Sequence, residues 1–249
     1  MEDKILTIPA VALRGMTILP GMVAHFDISR DKSLRAVEEA MKGDQKLFIV
    51  TQKDTEKEDP QGEDLYEVGL LAVVRQVVKL QKNIMRVLIE GIGRAEIYEY
   101  TQTADYMQAR VIVYQEDDEQ LPEQAKSAML LSVQETFAKY ARVHGKIGQD
   151  VMRQVQEETD LLKLLDYVGN SLVISYKKKQ KLLEAVTLTA RYEAVLSSLL
   201  QETEILALKR DFQKKVQEHV DKNQKDYLLR EQMQVIREEL GESNTETDA

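Results

Sequence analysis

Residues 187–241 read TLTARYEAVLSSLLQETEILALKRDFQKKVQEHVDKNQKDYLLREQMQVIREELG. After Thr187, a residue type that caps helix N-termini, helix formers run without interruption to Leu240, and Gly241 is placed to stop them. At 1.5 Å of rise per residue such a helix extends roughly 80 Å, longer than the diameter of a domain built from a chain of this size. Its first part carries Tyr192, Val195, Leu199 and Leu206, enough to pack on other helices. From Lys209 onward charges crowd in, with Glu218 and Lys222, Asp221 and Lys225, and Asp226 and Arg230 at the favourable i,i+4 spacing. The apolar seam that remains is narrow: Phe212, Val216, Val220, Tyr227, Met233, Ile236 and Leu240. A helix with so thin a stripe has little to bury against its own domain and is expected to project as an arm that finds a partner helix.

Upstream the chain changes character once. All four prolines, Pro9, Pro20, Pro60 and Pro122, lie in the first half, and none follows Pro122. Because proline is excluded from helix interiors and tolerated at turns, strand edges and helix starts, a strand-and-turn region is expected before Pro122 and a helical one after it. In the helical part, Met129, Leu130, Val133, Phe137 and Tyr140 form one stripe on a helix from Glu123 to about Arg142. Leu161 to Val168 forms a second helix ending near Gly169-Asn170, and Lys181 to Val186 a short third.

In the first half, Ile5 to Val11, Met22 to Ile28 and Lys46 to Thr51 read as strands, with a helix from about Asp31 to Lys42 that Gly43 caps. From Val68 the period becomes two, giving a long strand bent or bulged near Gln76, a turn at Gln81-Lys82-Asn83, and a partner strand from Met85 to Glu90. Gly91-Ile92-Gly93-Arg94 predicts a break, followed by strands at Ala95 to Thr101 and Tyr106 to Gln115. Six or more antiparallel strands with one helix tucked in predict a barrel-like or highly curved sheet, and an α+β chain overall. The expected regions are 1–120 as a β-rich lobe, 121–186 as a helical bundle, 187–241 as the long helix and 242–249 as a polar tail.

Composition narrows the chemistry. With no cysteine there is no disulfide framework, zinc-thiolate site, iron–sulfur cluster or cysteine nucleophile. His25, His144 and His219 are too far apart in sequence for a helical metal pair, and a net charge of −9 disfavours a protein devoted to holding a phosphate backbone. Gly145-Lys146 is followed by Ile147 and lacks the first glycine of a phosphate-binding loop, and Gly91-x-Gly93 lacks the third glycine of a dinucleotide loop. No nucleophile elbow or zinc-protease helix motif occurs. Catalytic, cofactor-binding and metal-binding residues are therefore expected to be absent. No apolar run reaches the length of a membrane span, and the chain starts Met1-Glu2-Asp3-Lys4, so a cytoplasmic location is expected.

Two features invite a partner. The basic run Lys177-Lys178-Lys179 with Lys181 reads either as a solvated helix start or as a contact for nucleic acid or an acidic surface. The segment Arg14-Gly15-Met16-Thr17-Ile18-Leu19-Pro20-Gly21-Met22 sets large apolar residues between glycines and a proline. Such a loop either packs on the sheet beneath it or meets unfolded, apolar peptide, and in the second case Met16, Ile18, Leu19, Pro20 and Met22 are the capture residues.

Four segments in order, 13–21, Arg86 to Ala95, Gln180 to Glu184, and Asn223 to Gln232 with Ile236 to Gly241, resemble the amino-terminal region of bacterial Lon proteases. The departures are small: Asp226-Tyr227-Leu228 stands where the family usually has adjacent tyrosines, and Gln81-Lys82-Asn83 replaces a Pro-Asp-Gly-type turn. The resemblance implies a PUA-like β lobe, a helical bundle and a long helix leading to an ATPase ring. It also implies that the chain is an N-terminal fragment, itself non-catalytic, of a hexameric, ATP- and Mg-dependent serine endopeptidase. No position can receive that family's Walker motifs or Ser-Lys dyad. The expected partners are unfolded or damaged proteins and, through Phe212, Val216 and Val220, neighbouring copies of the long helix. The alternative is a free-standing PUA-like nucleic-acid-binding protein that dimerises through a coiled coil.

Overall fold

The computed structural model describes residues 4–80, 83–115 and 121–239. Six strands come first, interrupted by one α-helix and one short 3-10 turn at Gly62–Asp64: β1 (Lys4–Leu13), β2 (Val23–Ile28), α1 (Asp31–Lys42), β3 (Lys46–Thr51), β4 (Val68–Lys79), β5 (Met85–Gln102) and β6 (Met107–Val113). Five helices follow: α2 (Glu123–His144), α3 (Gln149–Glu157), α4 (Leu161–Ser171), α5 (Tyr176–Glu184) and α6 (Leu188–Glu239). The change from strand to helix falls at Pro122, whose fixed φ and missing N–H suit the residue just before a first helical turn. Thr187 caps α6 by accepting a hydrogen bond from the Ala190 N–H at 3.2 Å. The expected stop at Gly241, the tail 242–249 and residues 81 and 82 of the predicted turn lie outside the described residues, whereas Asn83 takes the left-handed conformation with φ 58°.

The sheet order is β2-β5-β4-β3-β1-β6, and β5 also pairs with β6, which closes five of the strands into a ring. Five of the six pairings are antiparallel, as the alternating pattern predicts; β1 and β3 run parallel, with Ala10 beside Phe48 and Leu13 beside Thr51. The chain between them passes through β2 and α1, and a parallel pair requires such a crossover. α1 covers the sheet with Ser33, Ala36, Val37 and Ala40, the i, i+3, i+4, i+7 set of a single face.

The break expected at Gly91-Ile92-Gly93-Arg94 is absent, and β5 continues through it for 18 residues. The glycines mark the place where the strand changes partners along one edge: residues 85–90 pair with β2, and residues 95–102 pair with β6. A Cβ on Gly91 would lie 3.0 Å from the Leu19 carbonyl oxygen, so the missing side chain lets the 14–22 loop approach the strand. The bulge expected near Gln76 is present as a register shift between Val74 and Gln76.

The chain forms two compact units, one ending at Glu202 and one beginning at Thr203. In the first, one core fills the space between the sheet and α1 with Val11, Ile18, Phe26, Val37, Leu47, Leu70, Val87 and Ile89. Phe48, Leu65, Ala95, Met107, Ala109 and Val111 build a second core. Among the helices, Val133, Phe137, Tyr140, Leu164, Leu165 and Leu172 are fully buried. In the second unit, every described residue from Ala207 onward is exposed where it is classed, including Phe212, Val216 and Val220 of the predicted seam.

Candidate functional site

The 14–22 loop is where the β lobe and the first-unit helices meet. Adjacent side chains point opposite ways: Ile18 enters the lobe core, whereas Leu19 lies against α4, where a Cβ on Gly169 would come within 2.9 Å of its Cδ1. Polar contacts hold the backbone on both sides. The Gly21 N–H donates to the Gly91 carbonyl at 3.0 Å, and the Gly91 N–H donates to the Met22 carbonyl at 2.9 Å. The Thr51 hydroxyl donates to the Met16 carbonyl at 2.9 Å, and from α4 the Asn170 amide donates to the Pro20 carbonyl at 3.1 Å. Thr17 is buried, with its hydroxyl 2.9 Å from that of Thr51. Nearby, Gln180 of α5 is 1% exposed and donates to the Val68 carbonyl at 2.8 Å.

A buried ion pair fixes the same junction from beneath. Arg94 of β5 meets Asp166 of α4 through both terminal guanidinium nitrogens, at 2.6 and 3.1 Å, and donates from Nε to the Leu183 carbonyl at 3.1 Å. Arg191 of α6 lies 4.0 Å from the same carboxylate. Two-point contact from a planar guanidinium sets orientation as well as distance, so β5 and α4 are held in one register.

Of the five residues expected to meet substrate, Ile18, Leu19 and Pro20 are buried and anchor the loop rather than face solvent. This is the packed reading of an apolar loop. Met22 is half-buried against the lobe core, and Met16 is 40% exposed. Met16 borders a cleft of about 440 Å³ between the loop, the end of β1, β2 and the start of α1. Leu13, Phe26 and Ile28 supply its apolar wall, and Arg14, Arg30 and Arg86 its cations. Arg86 is engaged by Asp27 through two hydrogen bonds of 2.7 and 2.8 Å, which hold the Asp27 carboxyl below its ordinary range and the guanidinium above its own. Arg30 donates to the Gln52 side chain at 2.9 Å; burial, with the charge of Arg14, shifts this guanidinium the other way, toward a lower pKa. Sequence reasoning marks Arg14 and Met16 through their loop. It misses Phe26, Arg30 and Ser33, which carry no signal until β2 and the first turn of α1 are brought beside that loop.

Two of the four lysines of the basic run are used within the first unit. Lys178 is paired with Glu202, and Lys179 donates to the Asn170 carbonyl at 3.1 Å while burial lowers its pKa. Among the described residues, no cluster of three or more His, Asp or Glu side chains is arranged to hold a metal ion, and no helix is long and apolar enough to cross a membrane.

Known proteins resemble this chain in sequence and in fold. Residues 7–201 fit the sequence profile of the ATP-dependent protease La (LON) substrate-binding domain. The Lon protease of Lachnoclostridium phytofermentans is 37% identical over 248 residues, and that of Clostridium acetobutylicum 35% over 245. These stretches cover 100% and 98% of the chain, but the chain spans only 31% of the length of either relative. The fold is similar to that of the N-terminal domain of the Mycobacterium avium complex Lon protease, with a TM-score of 0.63, 19% identity, and coverage of 78% of this chain and 98% of that one. With the profile covering the β lobe, the junction and the first-unit helices together, the chain belongs to the family of ATP-dependent protease La (LON) substrate-binding domains.

Proposed function

We propose that the chain is the non-catalytic substrate-recognition and assembly region of a cytoplasmic, ATP-dependent serine endopeptidase that removes misfolded, damaged and short-lived regulatory proteins. In this reading, ATP, Mg and the proteolytic groups belong to the remainder of the enzyme. The observation that carries it is the family match across residues 7–201, together with a cleft whose rim includes the exposed Met16 on a loop otherwise locked in place. A methionine side chain is flexible and polarizable, so it adapts to many apolar sequences, and a fixed backbone limits the entropy lost when it does so. Met16 and Met22 are the capture residues; Ile18, Leu19 and Pro20 set the loop that presents Met16. Titration of the labelled chain with a permanently unfolded protein is expected to shift the NMR signals of Met16, Met22 and Phe26. Unchanged signals there, with shifts elsewhere, would move capture to another surface.

Assembly belongs to the second unit. Phe212, Val216 and Val220 follow one another at intervals of four residues and are 68%, 46% and 42% exposed, and Leu208 extends the stripe at 63%. Apolar residues at this spacing amid charged neighbours fit a helix-to-helix seam between copies of the chain. Sedimentation velocity of the chain is expected to show concentration-dependent association that the Val216→Asp, Val220→Asp double variant weakens by about tenfold or more, the effect of roughly 1.4 kcal/mol. Identical profiles would remove the seam from assembly.

A further inference from the structure

The ring of strands is closed at one end and open at the other. β6 closes the first end by pairing with residues 4–10 of β1 and residues 95–102 of β5. At the second end β2 pairs with β5 alone, and beyond Ala10 β1 pairs only with β3. The cleft of about 440 Å³ is bordered by both of these strands: Ala12 and Leu13 come from β1, and residues 25–28 from β2. It is a seam in the sheet, with no strand filling it among the described residues.

The alternation of hydrogen bonds along an antiparallel pair determines what each edge offers. The Gly91 N–H donates to the Met22 carbonyl, so Ala24, Phe26 and Ile28, which share the parity of Met22, form the hydrogen-bonded pairs with β5. Val23, His25 and Asp27 then direct their N–H and carbonyl groups away from β5, and these groups have no partner among the described residues. On β1, the Leu13 carbonyl accepts from the Gln52 N–H at 3.0 Å on the β3 side, so Ala12 turns its own groups the other way. The Ala12 carbonyl meets the Arg30 guanidinium at 3.5 Å rather than a neighbouring strand. Natural edge strands are ordinarily blunted by lysine, proline or a bulge. β2 contains neither lysine nor proline, and its one carboxylate, Asp27, is paired with Arg86.

A row of unpaired N–H and carbonyl groups at strand spacing is complemented by another extended main chain. The β2 strand of a second copy is a poor occupant, because it is already held by its own β5 and would have to bring that lobe into the seam. A free extended segment enters alone. We propose that a segment of non-native polypeptide enters this seam as an added strand antiparallel to β2, its main chain bonded to Val23, His25 and Asp27 and its alternate side chains turned toward Met16 and Phe26. The inference rests on the substrate-recognition reading and supplies its mode of contact. Main-chain pairing selects a chain for being unfolded rather than for its sequence, since a folded protein has already used its own backbone groups.

The probe is a Lys-terminated nonapeptide of alternating Thr and Val, with two twins N-methylated at alternate residues, one along each edge. When the unmethylated peptide saturates the whole chain, the Val23, His25 and Asp27 amides are expected to exchange about tenfold more slowly by NMR, while those of Ala24, Phe26 and Ile28, already paired, change little. A guest lying between two edges uses both of its own, so each fluorescein-labelled twin is expected to bind about tenfold more weakly by anisotropy. His25→Pro removes an outward N–H where an edge strand tolerates proline, and is expected to lose the peptide. The twins decide the matter on the unsubstituted chain whether or not that variant folds. Equal affinities for all three peptides, with Met16 and Phe26 signals still shifted, would overturn main-chain pairing and leave side-chain capture standing. Silence of every cleft signal toward both the peptide and an unfolded protein would overturn capture here altogether. Protection of the same amides that rises with chain concentration and needs no peptide would give the edge to a second copy and overturn the proposal.

Discussion

Asp166→Ala is expected to lower the melting temperature of the first unit by roughly 6–20 °C. The carboxylate is nearly buried and faces two buried guanidinium groups, Arg94 and Arg191, that are 4% and 3% exposed. Removal of one member of a buried ion pair costs about 3–5 kcal/mol, chiefly because the remaining charge is left uncompensated, and for a unit of this size each kcal/mol corresponds to about 2–4 °C. The sign of a second comparison tests the cause. In Arg94→Met the carboxylate still faces Arg191, so this variant is expected to melt above Asp166→Ala, although both melt below the parent. Calorimetry of the three chains checks the order. A melting temperature for Asp166→Ala within about 2 °C of the parent would mean that packing alone holds β5 against α4.

Leu19→Ala is expected to cost about 2–5 kcal/mol of stability and to weaken capture of unfolded protein as well. Leu19 is 1% exposed and reaches Gly169 of α4, so truncation leaves a cavity between the loop and the helix that neither side can close cheaply. The loop is then fixed on the lobe side alone. Met16→Ala supplies the contrast. Its side chain is 40% exposed, so stability should change by no more than about 0.5 kcal/mol while capture falls. Denaturant unfolding and anisotropy with a labelled unfolded protein, run on both variants, separate anchoring from contact. If Leu19→Ala unfolds like the parent, the loop is not held by the helices.

Where one short-range pattern dominates, sequence and structure agree closely. The period-two run from Val68 is β4, and the spacing of Val133, Phe137 and Tyr140 gives the buried face of α2. α3 escapes the sequence reading because its apolar stripe, Val151, Met152 and Val155, spans barely more than one turn of a nine-residue helix. α5 begins at Tyr176 rather than Lys181, because the Ser175 side chain caps it by accepting from the Lys178 N–H, and the lysine run forms its first turn. The parallel β1–β3 pair carries no signal of its own: alternation fixes which face a residue takes, not which strand lies beside it. The site is legible only as a loop. Ile18 and Leu19 are equally apolar neighbours, and nothing local says that one enters the lobe and the other meets α4. Arg94 and Asp166 are 72 residues apart in sequence, so their pairing becomes visible only once β5 and α4 are placed together.

The closed ring of strands has a kinetic consequence. Its last seam joins Lys4 to Val113, and β1 serves as a rung for both the nearby β3 and the distant β6. The entropy of bringing such distant segments together must be overcome before their contacts stabilise anything, which places the lobe among the slower-folding topologies, on the order of milliseconds to seconds. On a ribosome the ring cannot shut until residue 113 has left the exit tunnel. Until then the edge of β1 that later pairs with β6 stays open, an unpaired strand edge on a nascent chain that another strand can join.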